Sequence, residues 1–160
     1  MGGLSEELAA IREIEDVLAR YCYAVDDGDP IAVASVYAEE GLHDAGNGLI
    51  VRGRADIEAF FRLRLARYDA SAHHLANIVV RVDGDAAHVA SYVYARIWPL
   101  GSDECGELWG RYADDLVRSS DGWQITHRRL RVAGWHGFPH LPEQPDLFER
   151  LPRATAPAES

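Results

Sequence analysis

Residues 71–98, SAHHLANIVVRVDGDAAHVASYVYARIW, decide how this chain is read. Two adjacent histidines, His73 and His74, stand at the mouth of a strongly β-prone run. The run breaks at Asp83-Gly84-Asp85, a turn signal, and resumes with Ala87, Val89, Ser91 and Val93 alternating against His88, Ala90, Tyr92 and Tyr94. That is a hairpin pattern. Successive side chains of a strand point to opposite faces, so His73, Leu75 and Asn77 are expected on one face and His74 and Ala76 on the other. Only one histidine then looks into the core side. An imidazole held there is a candidate acid or base, because its ordinary pKa lies near neutrality. A plain hydrogen bond within the core is the competing role.

Working outward, the second half of the chain continues as strands. GELWGRYADDLVRSSDGWQITHRRLRVAGW, residues 106–135, holds two strand patterns broken at Ser119-Ser120-Asp121-Gly122. The expectation is one antiparallel sheet from strands at 77–82, 86–98, 107–118 and 123–133. The first half reads as helix. Ile11, Ile14, Leu18, Tyr21 or Cys22, and Val25 recur at three- and four-residue steps, with Ser5 as the expected N-cap. Asp27-Gly28-Asp29-Pro30 should stop that helix and open a second, short one through Ile31, Val33, Val36 and Tyr37. Residues 41–53, GLHDAGNGLIVRG, suggest a loop or hairpin, and residues 55–68 a third helix burying Ile57, Phe60, Phe61 and Leu65. Helices first and strands afterwards give an α+β domain, with one curved sheet wrapped over the helix at 8–26.

Composition bounds the function. The 160 residues suit one domain, expected over 1–140, with 141–160 as a C-terminal cap and partly disordered tail that carries a short helix at Leu147-Phe148. That tail region, from Phe138, holds five of the seven prolines. A formal charge of −10 argues against a nucleic-acid partner, since phosphate binding needs a basic face. Cys22 and Cys105 have neither CxxC nor Cys/His metal spacing, so no disulfide framework and no metal site is expected. No phosphate-cradling glycine motif occurs, and no cofactor is expected. No signal segment or membrane-length apolar run is present, which makes a cytoplasmic protein the expectation.

The residues also carry a resemblance. ARYCYAVDDGD (19–29), VYAEEG (36–41), GRADIEAFF (53–61), HHLAN with VDGDAA, and GRYADDLVRSSDGWQITHRRL (110–130) together resemble the SnoaL-like family of the nuclear-transport-factor-two-like, or cystatin-like, superfamily. The similarity runs over roughly residues 8 to 135. It implies a cone-shaped α+β barrel around an apolar pocket, with relatives that include polyketide cyclases, ketosteroid isomerase, scytalone dehydratase and hexachlorocyclohexane dehydrochlorinase. It also implies a homo-oligomer, dimer or trimer. Fold alone does not assign a reaction.

Residue by residue, the dehydratase and dehydrochlorinase branch implies four site positions. Asp26, near the end of the first helix, corresponds to an aspartate that pairs with a histidine four residues before an asparagine, here His73 and Asn77. Tyr21 stands five residues before Asp26, and Arg131 eight residues after Trp123. In that arrangement Asp26 fixes the tautomer of His73, Tyr21 polarises a carbonyl or protonates a leaving hydroxyl, and Arg131 holds a developing anion. Each has a plain structural role beside it: a helix end for Asp26, core packing for Tyr21, salt bridges for Arg131. The implied activity is a lyase of the dehydratase type on a small hydrophobic cyclic compound. An isomerase or cyclase using Asp44 is the alternative, although residues 88–96 offer no second acid for it. A binding module without chemistry is the third.

Overall fold

The computed structural model describes residues 2–46 and 48–138. The expected cap and tail at 141–160, with the helix at Leu147-Phe148, lie outside the described residues. Three helices come first or early: α1 (Gly2–Asp26), α2 (Pro30–Ser35) and α3 (Arg54–Leu65). Six strands complete the chain: β1 (Tyr37–Asp44), β2 (Ile50–Arg52), β3 (Tyr68–Asp83), β4 (Ala86–Pro99), β5 (Gly106–Ser119) and β6 (Gly122–His136). They form one curved, unclosed sheet in the order β2-β1-β6-β5-β4-β3.

The chemistry of each element follows its pattern. β4 alternates buried and exposed residues almost without exception, so Ala87, Val89, Ser91, Val93, Ala95 and Ile97 face inward. α1 lays Ile14, Val17, Leu18, Tyr21, Cys22 and Val25 onto that inner face, against Val89, Val93, Tyr112, Leu116, Trp123 and Ile125. It ends where Gly28 takes a positive φ of 69°, the conformation that glycine adopts without a Cβ penalty. Asp29 caps α2, its carboxylate accepting from the N–H groups of Ile31 and Ala32 at 3.0 Å each.

Several expectations needed correction. Ser5 is not a cap, because α1 already runs from Gly2 and Ser5 lies inside it. The second helix stops at Ser35; Tyr37 opens β1, which pairs antiparallel with β2 and parallel with β6. The four later strands are antiparallel as expected, yet β3 starts at Tyr68 rather than 77, so both histidines sit within the strand. Asn77 does not share the face of His73. The β3–β4 register shifts between Ala76 and Val79, Asn77 takes a φ of 51°, and the inward phase passes from Ser71, His73 and Leu75 to Val80 and Val82.

Candidate functional site

The C-terminal turn of α1 and the first half of β3 meet over one carboxylate. Asp26 Oδ1 accepts from the Ser71 hydroxyl at 2.7 Å and lies 2.6 Å from His73 Nδ1. Its Oδ2 accepts the backbone N–H of His73 at 2.8 Å. Two inward positions of one strand, two residues apart, therefore clamp a helix-borne acid from a distant part of the sequence. Burial works to raise the Asp26 pKa, but the hydrogen bonds from the His73 ring, the His73 N–H and Ser71 outweigh it and hold the carboxyl below its ordinary value. An ionised carboxylate only accepts, so the proton between the two groups resides on Nδ1. In the neutral ring this leaves Nε2 as the lone-pair nitrogen.

A groove of about 480 Å³ runs along this dyad. Its α1 wall carries Glu15, Leu18, Ala19, Cys22, Tyr23 and Asp26, and its β3 wall carries Ala72, His73, His74, Leu75 and Ile78. The lining is mainly apolar, with the dyad as its concentrated polar feature. The His73 side chain is 11% exposed and that of Asp26 23%, so the pair is shielded but reachable. Burial pushes the Cys22 thiol up to about 11, away from the thiolate form that a nucleophile needs. His74 turns outward, its ring centroid 6.3 Å from that of Tyr94 on the outer face.

Tyr21 and Arg131 stand apart from this groove. Tyr21 is buried in an aromatic cluster, with edge contacts to Tyr37, Phe61 and Tyr112, and burial raises its pKa. Arg131 is half exposed and donates to Asp44 Oδ2 at 3.0 Å, on the far side of the sheet order from β3. The arginine that meets Tyr21 is Arg128, whose guanidinium carbon sits 4.0 Å from the Tyr21 ring centre. A register shift at Asp115/Leu116 turns Arg128 inward, out of the phase set by Trp123 and Ile125, so alternation alone does not single it out. Ser71 was also missed, although its two-residue spacing from His73 places it on the same face.

Asp44 and His43 bear on the isomerase alternative. Burial opposes the Asp44 charge, but Gly46 N–H and Arg131 hold its carboxyl below the ordinary value. A proton-shuttling acid is helped by the opposite shift. His43 is buried, with Nδ1 2.8 Å from the Tyr37 hydroxyl. Asp114 and Asp115 serve the sheet: Asp114 pairs with buried Arg128, and Asp115 joins His88 and Arg129.

Comparison with known proteins agrees with this architecture. A family model described as SnoaL-like domain matches residues 6–129. An uncharacterized protein of Mycobacterium tuberculosis is 32% identical over 127 residues, covering 76% of this chain and 84% of its own. A steroid Delta-isomerase of Nocardioides simplex is 44% identical over 50 residues, 31% of this chain and 41% of that protein. Among solved structures, a scytalone dehydratase candidate from Novosphingobium aromaticivorans superposes with a TM-score of 0.81 at 24% identity, over 87% of this chain and 93% of that one. A hexachlorocyclohexane dehydrochlorinase, LinA type 2, gives 0.76 at 14% identity, over 88% and 96%. The last two likenesses speak to the fold.

Proposed function

This chain belongs to the SnoaL-like domain family, and from that premise we propose that it is a cofactor-independent lyase of the dehydratase type acting on a small hydrophobic cyclic compound. One observation carries the reading: the 2.6 Å contact between Asp26 and His73 Nδ1, on the wall of an apolar groove. His73 Nε2 removes a proton from a carbon next to a carbonyl. The freed electron pair becomes the new C=C bond as the neighbouring C–O bond breaks. The imidazolium, held against the Asp26 carboxylate, returns its proton to the departing hydroxyl, which leaves as water. Tyr21 and Arg131 receive no step, because the first is enclosed by other rings and the second is engaged by Asp44.

The partial likeness to a steroid isomerase supports a second reading, in which the same base returns the proton to a different carbon of the substrate. The two differ in their product. A panel of cyclic β-hydroxy ketones and β,γ-unsaturated ketones, followed by mass, separates them: elimination loses water, isomerisation leaves the mass unchanged. Turnover lost in His73→Gln supports either reading. Tight binding of these compounds with no turnover by the native chain would instead make it a binding module.

A further inference from the structure

We propose that Ser71 is a positioning residue of the dyad, acting on His73 through the Asp26 carboxylate they share. The inference deepens the lyase reading and rests on it. Ser71 and His73 donate to one and the same oxygen, Asp26 Oδ1, at 2.7 and 2.6 Å, while the backbone N–H of His73 occupies Oδ2. Three donors leave the carboxylate plane no freedom to swing. Strand alternation supplies the geometry: positions 71 and 73 are successive inward positions of β3, in register with Ile97 and Ala95 of β4.

The sharing has a chemical consequence. A donor on Oδ1 disperses negative charge that would otherwise be directed at His73. The Ser71 hydroxyl therefore weakens the pull of Asp26 on the imidazolium. Without the hydroxyl, Oδ1 carries the His73 bond alone, the imidazolium is favoured, and the base form requires a higher pH. Other titratable groups along the groove are Glu15, Cys22 and Tyr23 on α1, with His74 at its edge on β3 but turned outward; the rung partner on β4, Ala95, carries no charge. Substitution at 71 leaves all of these in place.

The test is a titration of the full-length native protein, Ser71→Ala and Ser71→Thr, following the His73 ring by NMR and assigning it by its loss in His73→Gln. Ser71→Ala should move the His73 midpoint upward by about 0.5–1 pH unit. Where turnover is measurable, the acid limb of its pH profile should move by the same amount, with KM unchanged. Ser71→Thr keeps the hydroxyl in a strand-compatible residue and should restore both. An unmoved midpoint in Ser71→Ala, a loss of rate with an unmoved acid limb, or no restoration by threonine overturns the proposal. The NMR arm needs no substrate. A shifted midpoint in a protein that turns nothing over leaves the Ser71 assignment standing and removes the lyase reading.

Discussion

Arg128 and Asp114 form a two-pronged ion pair, 2.8 and 2.7 Å, with neither side chain exposed to solvent at all. The guanidinium carbon lies 4.0 and 4.3 Å from the ring centres of Tyr21 and Tyr112, so two aromatic rings pack against the buried cation. Among the described residues its Nη1 has no hydrogen-bond partner. Charges at this depth are tolerated only as a pair, since removing one leaves the other desolvated and uncompensated.

Asp114→Asn should therefore cost about 3–5 kcal/mol of unfolding free energy. The double replacement Asp114→Leu with Arg128→Met should cost much less, because no charge is stranded. Urea unfolding of the three proteins measures this. Equal losses in the single and double variants would mean that packing, not charge, dominates the site.

His43 gives the fold an acid-side sensitivity. Burial first, then the fields of Arg128 and Arg64, push its pKa down to about 3, with Asp44 pulling weakly the other way. The folded state thus keeps the ring neutral, while the unfolded chain protonates it through its ordinary value near 6.5. Below that value the unfolded state binds the extra proton, so stability should fall as pH drops from about 6.5 toward 3. The expected loss is on the order of a few kcal/mol. In His43→Gln, which removes the titrating ring, that slope should flatten even though the starting stability is lower. An equally steep slope in the variant would place the acid sensitivity elsewhere.

The sheet was legible because β4 alternates cleanly and Gly84 and Gly122 mark tight turns between long strands. Asp26 and His73 were legible through a resemblance, since 47 residues separate them and no local pattern joins them. What escaped has a common physical origin. Register shifts in β3–β4 and β5–β6 change which residue of a run faces inward, so strict alternation places Asn77 beside His73 and gives no sign that Arg128 is the buried arginine of its run. β1 escaped because Val33, Val36 and Tyr37 continue a helical spacing, although the chain extends at Tyr37 to pair beside β6.

Asn77 makes one such shift testable. Its φ of 51° is a left-handed value that asparagine tolerates and most residues with a Cβ resist. The residue is exposed, so contacts contribute little to the outcome. Asn77→Val should destabilise by about 1–2 kcal/mol, whereas Asn77→Gly should stay close to the native protein. Thermal unfolding of both variants decides. A harmless valine would show that the strand can straighten at the bulge.

The two histidines provide the sharpest test of the site, because they are sequence neighbours on opposite faces of one strand. His73 faces Asp26 and the groove, whereas His74 leans on Tyr94 outside. Both keep regular strand register with β4, His73 opposite Ala95 and His74 opposite Tyr94. His73→Ala should then cost roughly 10²–10⁴-fold in turnover, the usual loss for a general base, while His74→Ala should stay within a few-fold. Asp26→Asn adds a distinct signature. An amide can present its NH₂ to Nδ1, which would drive the ring proton to Nε2 and remove the lone pair from the substrate side. Its loss should approach that of His73→Ala, and the double variant should be little worse than either single one, since both changes disable one unit. Additive losses would mean that Asp26 and His73 act separately. An inactive His74→Ala beside an active His73→Ala would move the base to the outer face and overturn the groove as the site.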